Sequence, residues 1–139
     1  MRIFYDIGIR IYWLAAWIIS PWNPKARLWI RGRKNWKSRL ESSSLMGGKV
    51  IWFHCASLGE FEQGRPVMEE MRRQFPGHRF LLTFFSPSGY EKRKDYPGAE
   101  HVMYLPLDTA RNARRMLRLL DLEMAVFIKY EFWYHYLHQ

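Results

Sequence analysis

Two apolar runs, Lys49–Cys55 (KVIWFHC) and Arg79–Phe85 (RFLLTFF), constrain the fold more than any other feature of this sequence. Neither alternates between apolar and polar residues, as a strand with one wet face would. Short continuous β-forming runs belong to strands buried on both faces, the usual situation in a parallel sheet. The segments between them read as the covering layers. Gly59 to Gln74 is predicted helical, with Phe61, Val67 and Met71 near one face and Pro76-Gly77 as its stop. A short polar helix is expected after Ser86-Pro87-Ser88-Gly89, running through Asp95. His101–Leu105 reads as a third strand, and Asp108 as the N-cap of a helix reaching Leu120. Glu123–Ile128 is the fourth expected strand, and Glu131 to His138 a final helix. Strands alternating with helices imply βαβ units, and so a Rossmann-like α/β fold with a parallel sheet covered on both faces.

The first third of the chain has a different character. Ile3 to Ile19 (IFYDIGIRIYWLAAWII) is interrupted by Asp6 and Arg10, and Ile3, Ile7, Ile11, Leu14 and Ile18 recur at helical spacing. Phe4, Trp13 and Trp17 broaden that stripe. A spanning helix wants about 20 apolar residues, so this run fits a helix lying in or dipping into a bilayer interface. An amphipathic helix packed on the protein's own body fits the pattern too. Ser20-Pro21-Trp22 is a poor cleavage site, and Pro21 and Pro24 end the helix. Three regions follow: an anchor helix at 1–22, a basic, Trp-rich connector at 23–48 closed by the flexible Met46-Gly47-Gly48 joint, and the α/β body at 49–139.

Charge points the same way. Residues 1–45 hold nine Lys and Arg against Asp6 and Glu41, a net of +7, whereas the rest of the chain carries only +2 of the total +9. Arg27, Arg31, Arg33 and Lys34 are interleaved with Trp22, Trp29 and Trp36. Cations beside amphipathic indoles suit an anionic lipid surface, with Trp13 and Trp17 at its level. The same mixture could grip RNA through phosphates and stacking, but no nucleic-acid-binding signature accompanies it, so no nucleic acid partner is expected. The single Cys55 excludes a disulfide framework and suits a reducing compartment, and no Cys/His spacing resembles a metal site.

In an open parallel sheet, ligands bind beyond the carboxyl ends of the strands. The first junction there is Ala56-Ser57-Leu58-Gly59-Glu60, whose carboxylate can point into the crevice as a general base or merely complement a helix dipole. In the second, Ser86-Pro87-Ser88-Gly89, hydroxyls and amides could hold a phosphate or sugar, or simply cap a helix. Pro106-Leu107-Asp108 is the third, expected to do no more than cap. The fourth, Lys129-Tyr130-Glu131-Phe132-Trp133, supplies a second carboxylate. Two carboxylates on one crevice edge suit acid/base work, and equally a solvated rim. The five histidines show no ligand spacing and read as core or surface residues.

These four motifs, in this order behind an N-terminal helix, closely resemble the acceptor-binding domain of bacterial 3-deoxy-D-manno-octulosonic acid (Kdo) transferases. The resemblance covers essentially the whole chain but only the first portion of the family's length. It implies the N-terminal half of an inverting, metal-independent GT-B glycosyltransferase on the cytoplasmic face of the inner membrane. Such an enzyme moves Kdo from CMP-Kdo onto a lipid A precursor in lipopolysaccharide biosynthesis, without a cofactor. Carried over, Glu60 is the general base, and Glu131 assists the transition state or holds the base in place. Ser57, Gly59, Ser86, Ser88, Gly89 and Lys129 fall at acceptor-binding positions. The family's pattern continues Trp-Pro-Asn where this chain has Trp133-Tyr134-His135. The domain expected to bind the CMP moiety lies outside the sequence, so this segment alone is expected to be a fragment that holds acceptor without turning over.

Overall fold

The computed structural model describes residues 2–129 and 131–139. Tyr130, the second residue of the fourth junction, lies outside the described residues. Four strands, β1 (Lys49–Cys55), β2 (Arg79–Phe84), β3 (His101–Tyr104) and β4 (Asp121–Phe127), form one sheet in the order β3-β2-β1-β4. Every pairing is parallel. The connections carry α4 (Leu58–Gln74), α5 (Pro87–Arg93) and α6 (Ala110–Leu119), and α7 (Tyr134–His138) follows the last strand.

Strand parity divides the core in two. Ile51, Phe53 and Cys55 of β1, with Phe80, Leu82 and Phe84 of β2, face Phe61 and Met68 of α4. Val50, Trp52, Leu81 and Met103 face the other way, against Ala113 and Met116 of α6 and Tyr136 of α7. A large apolar side chain contributes about 1.5–3 kcal/mol when fully buried. This double coverage is why β1 and β2 read as unbroken apolar runs. The edge strand β4 is more exposed, with Met124 41% accessible.

The basic connector is largely helical. Here α2 (Pro24–Gly32) starts at Asn23, whose side chain accepts from the Lys25 and Ala26 N–H groups, and α3 (Trp36–Glu41) follows. Leu40 and Leu45 are buried in the α6-side core, so this segment is packed against the body. The first helix, α1 (Arg2–Ile19), has no fully buried residue. Tyr5, Asp6, Ile9 and Ala16 are half-buried along one side. The opposite stripe of Ile3, Ile7, Ile11, Leu14 and Ile18 is exposed, from 72% at Ile3 to 48% at Leu14. The helix is therefore apolar on two faces, one spent on the body and one left over.

Asp108 corrects the sequence reading. The N-cap of α6 is Thr109, whose hydroxyl accepts from Asn112 N–H. Asp108 is buried, 1% accessible, and its carboxylate caps a different helix, accepting the His135 N–H at 3.2 Å and the Tyr136 N–H at 3.3 Å. The Tyr5 hydroxyl donates to it as well, at 2.5 Å. Asp6 meets His135 Nε2 at 2.5 Å, so α1 is clasped to α7 by two adjacent polar contacts. With the capping bonds at His135 and Tyr136, α7 begins at Tyr134 rather than at Glu131.

Replacing Asp108 by Ala strands two buried N–H groups and the Tyr5 hydroxyl, at about 1–3 kcal/mol for each unsatisfied buried donor. We expect Asp108→Ala to lower unfolding free energy by at least ~2 kcal/mol in urea titration, and Asp108→Asn, which keeps an acceptor oxygen, by less. An Asp108→Ala loss below ~1 kcal/mol would show that the cap contributes little.

Candidate active site

The order β3-β2-β1-β4 makes the chain leave β1 toward β2 on one side while β4 occupies the other. Loops leaving two such strands diverge and open a crevice at their carboxyl ends. Glu60 follows β1 and Glu131 follows β4, so the two carboxylates flank the same switch point.

At the first junction, Ser57 is extended (φ −140°, ψ 175°) and begins α4 as a capping box. Glu60 Oε2 accepts the Ser57 N–H at 2.9 Å and lies 3.5 Å from its hydroxyl. A side chain at the third helical position reaching back to the cap satisfies an N–H that the helix cannot. Gly59 is exposed in the first turn. Cys55, at the end of β1, feels both carboxylates. Burial above all, then Glu60 and Glu131, push its thiol up to about 12.

The second junction is tied to the first by Ser86 N–H donating to the Ala56 carbonyl at 2.8 Å. Ser86 caps α5, its hydroxyl accepting the Ser88 N–H at 3.2 Å and lying 3.0 Å from the Ser88 hydroxyl. Gly89 is buried, and a Cβ there would run into the Phe84 ring. Ser86 and Gly89 thus have structural duties beside any contact with a ligand.

The fourth junction continues the ladder for one residue, Ile128 N–H donating to the His54 carbonyl at 3.0 Å. Lys129 then turns the chain with φ +64°, a left-handed conformation uncommon outside glycine. Its side chain is exposed, and its carbonyl accepts Glu131 N–H at 3.0 Å. Trp133 stacks on Phe85 at 4.8 Å between ring centroids, and its indole N–H donates to His54 Nε2 at 3.0 Å. Glu131 Oε2 stands 3.6 Å from that same nitrogen. Sequence reasoning took His54 for an ordinary core or surface residue and missed this contact. The available signal was parity: His54 follows Val50 and Trp52 on one face, where it is the one ionisable residue among the three.

A cavity of about 400 Å³ joins these pieces, with Tyr5 and Ile9 of α1, Ala56, Phe85, Glu131 and Trp133 among its walls. Ser57, Gly59, Glu60, Ser86, Ser88, Gly89 and Lys129 are not among its lining residues. Glu131 is thus brought under α1, while Glu60 and the expected acceptor-binding residues Ser57, Gly59, Ser86, Ser88 and Gly89 lie at the starts of α4 and α5, and Lys129 just past β4. Among the described residues, no group of three or more His, Cys, Asp or Glu is placed to hold a metal ion.

The basic surface is real but smaller than expected. Trp13, Trp17, Arg27, Arg31 and Lys34 are exposed, and a recess of about 390 Å³ is lined by Trp17, Arg27, Arg31 and Lys34. Arg33 is a correction. Its guanidinium donates inward to the carbonyls of Leu105 (2.8 Å), Phe85 (2.9 Å) and Trp29 (3.1 Å), over the Trp29 ring. Desolvation lowers its pKa to about 9, so it remains the cation that pins α2 to the second and third junctions.

A family model described as 3-deoxy-D-manno-octulosonic-acid transferase (kdotransferase) matches residues 34–139. The 3-deoxy-D-manno-octulosonic acid transferase of Chlamydia muridarum is 33% identical over 108 residues, covering 74% of this chain and 25% of the relative. That of Aquifex aeolicus is 36% identical over 87 residues, covering 60% and 23%. A bifunctional glycosyltransferase/methyltransferase of Fusobacterium nucleatum is 27% identical over 94 residues, covering 66% and 14%. The chain thus spans about a quarter, or less, of the length of these relatives.

With its pKa pushed up to about 12, the Cys55 thiol stays protonated through the neutral range and lacks the nucleophilic thiolate. We expect a disulfide-exchange reagent at pH 8 to label it at least ~100-fold more slowly in the folded chain than in urea. Comparable rates would mean that the end of β1 is open to solvent.

Proposed function

The chain belongs to the 3-deoxy-D-manno-octulosonic-acid (Kdo) transferase family, and from that premise we propose that it is the acceptor-binding part of a GT-B enzyme moving Kdo from CMP-Kdo to a lipid A precursor. The observation that carries this reading is the placement of Glu60 and Glu131 on either side of one switch point, each in the segment that follows a buried or edge strand. The cap engages Glu60 Oε2, so base duty falls to Oε1. As the acceptor hydroxyl attacks the anomeric carbon, Oε1 takes its proton and the new C–O bond forms. The bond to the CMP phosphate breaks, and CMP leaves with the electron pair, inverting the centre. Glu131, under α1, supports the charge that develops or orients the acceptor. Ser57, Gly59, Ser86, Ser88, Gly89 and Lys129 line the approach. The step calls for neither metal nor organic cofactor, and the CMP moiety is assigned to the part of the enzyme outside this segment.

The membrane belongs to the same proposal. Among the described residues no helix is long and apolar enough to cross a bilayer. The leftover stripe on α1 suits a helix lying in the interface plane, with its apolar face at the acyl boundary. The Trp17, Arg27, Arg31 and Lys34 recess suits lipid phosphates, on the cytoplasmic side of the inner membrane where basic flanks are favoured. That stripe also favours a second reading, a peripheral module that binds anionic lipid without catalysis.

One experiment separates these readings, and a second tests the membrane contact they share. In membranes expressing the complete reading frame that contains this segment, Glu60→Gln is expected to cut Kdo transfer by ~100-fold or more, the scale of a lost general base. The amide oxygen can still accept the Ser57 N–H, so the urea midpoint should hardly move. Undiminished transfer would strip Glu60 of its role, and no transfer even in the wild type would favour the lipid-binding module. For the surface, Ile7→Glu with Ile11→Glu is expected to reduce salt-sensitive co-sedimentation with anionic vesicles by ~10-fold or more. Unchanged co-sedimentation would remove α1 from the membrane contact.

A further inference from the structure

Buried polar atoms need partners, and His54, 0% accessible, has one at each ring nitrogen. Nδ1 lies 2.8 Å from Thr83 Oγ1, and Nε2 receives the Trp133 indole N–H at 3.0 Å. An indole nitrogen can only donate, so Nε2 must be the bare, accepting nitrogen. The ring proton then sits on Nδ1 and is donated to Thr83. The rest of the network closes on this choice. Thr83 Oγ1 also accepts the Trp52 indole N–H at 2.8 Å, and its own proton goes to the Phe53 carbonyl at 3.4 Å. The opposite tautomer would set two N–H groups against each other between His54 and Trp133.

Glu131 Oε2, 3.6 Å from the same Nε2, forms no hydrogen bond in this tautomer, because a lone pair faces a carboxylate. We propose that His54 is the positioning residue of the site: as the Nδ1–H tautomer it docks Trp133 through Nε2, and the docked indole holds the Glu131–Trp133 segment so that the Glu131 carboxylate lines the cavity instead of pairing with the imidazole. What Glu131 does in that cavity rests on the transferase reading; its placement by His54 does not.

A proton on Nε2 reverses both preferences. It opposes the indole N–H and offers Glu131 a charge-assisted bond. The groups facing the ring are known. Burial disfavours its charged form most, Arg33 adds to that, and Glu131 and Glu60 oppose it. The ring neighbours Trp52, Phe127 and Trp133 carry no charge. The balance holds His54 below the ordinary histidine pKa, so the neutral ring persists at pH 7.

The test is the imidazole ¹⁵N spectrum of the 139-residue chain, followed from pH 8 to 5.5, with His54 assigned by its absence in His54→Gln. A pyridine-type Nε2 beside a pyrrole-type Nδ1 at pH 7, with a titration midpoint below that of an ordinary histidine, is the expected result. A pyrrole-type Nε2, or an imidazolium near pH 7, overturns the proposal. Removing the indole by Trp133→Phe frees Nε2 for Glu131, and the His54 midpoint is expected to rise by about one pH unit or more. An unmoved midpoint overturns the exchange of partners. The Trp133 indole N–H resonance gives the converse reading. It should stay downfield in His54→Gln, whose amide oxygen reaches the Nε2 position, and move upfield in His54→Phe. Identical shifts in the two variants would reduce His54 to a space-filling residue. None of these signals depends on sugar transfer, so they can fail while the transferase reading stands, and the reverse.

Discussion

A strand that must be dry on both faces dictates nearly everything else in this chain. β1 takes parallel partners on either side, β2 and β4, and helices cover it above and below. A strand enclosed in that way can meet a ligand only at its end. The two halves of the core consequently converge on one place, where the loops after β1 and β4 part. The carboxylates, the buried imidazole and the hidden thiol all gather there.

Polar interactions decide how that opening is walled. Asp108 sits where three segments distant in sequence meet, and it satisfies backbone donors of α7 together with the Tyr5 hydroxyl of α1. The first helix therefore belongs to the site as much as to any surface it touches. Tyr5 and Ile9 close the cavity in which Glu131 stands. Arg33 performs a similar service from the end of α2, spending its charge on carbonyls at the starts of the second and third junctions. A cation read as solvent-facing from composition is in fact a brace.

The elements were legible because their signals are local: unbroken apolar runs for β1 and β2, Pro76-Gly77 as a stop, prolines at the end of α1. All four strands and α1, α4, α5, α6 and α7 fall within a few residues of the expected places, whereas the connector helices α2 and α3 were not foreseen. The junction motifs were legible for the same reason, together with the family they resemble. What stayed hidden depends on partners far away in sequence. Asp108 has the look of a local cap, but its donors lie 27 and 28 residues downstream and 103 upstream. His54 meets Thr83 and Trp133 across 29 and 79 residues. Arg33 stands in a basic run that gives no sign of which cation will turn inward. The two-faced character of α1 was half visible: the outer stripe repeats cleanly, whereas the inner one, Tyr5, Ile9 and Ala16, mixes residue types too freely to stand out.

The last strand has a consequence for how this polypeptide behaves at high concentration. Among the described residues β4 pairs only with β1, so its other edge presents a row of unanswered N–H and C=O groups. Asp121 and Glu123 place charge at its start, but the run from Met124 to Phe127 carries none. Such an edge is a template on which a second extended segment can register. Within β4 only those two charges guard the edge against a second extended segment, which makes edge-to-edge association the route by which this polypeptide would be lost from solution.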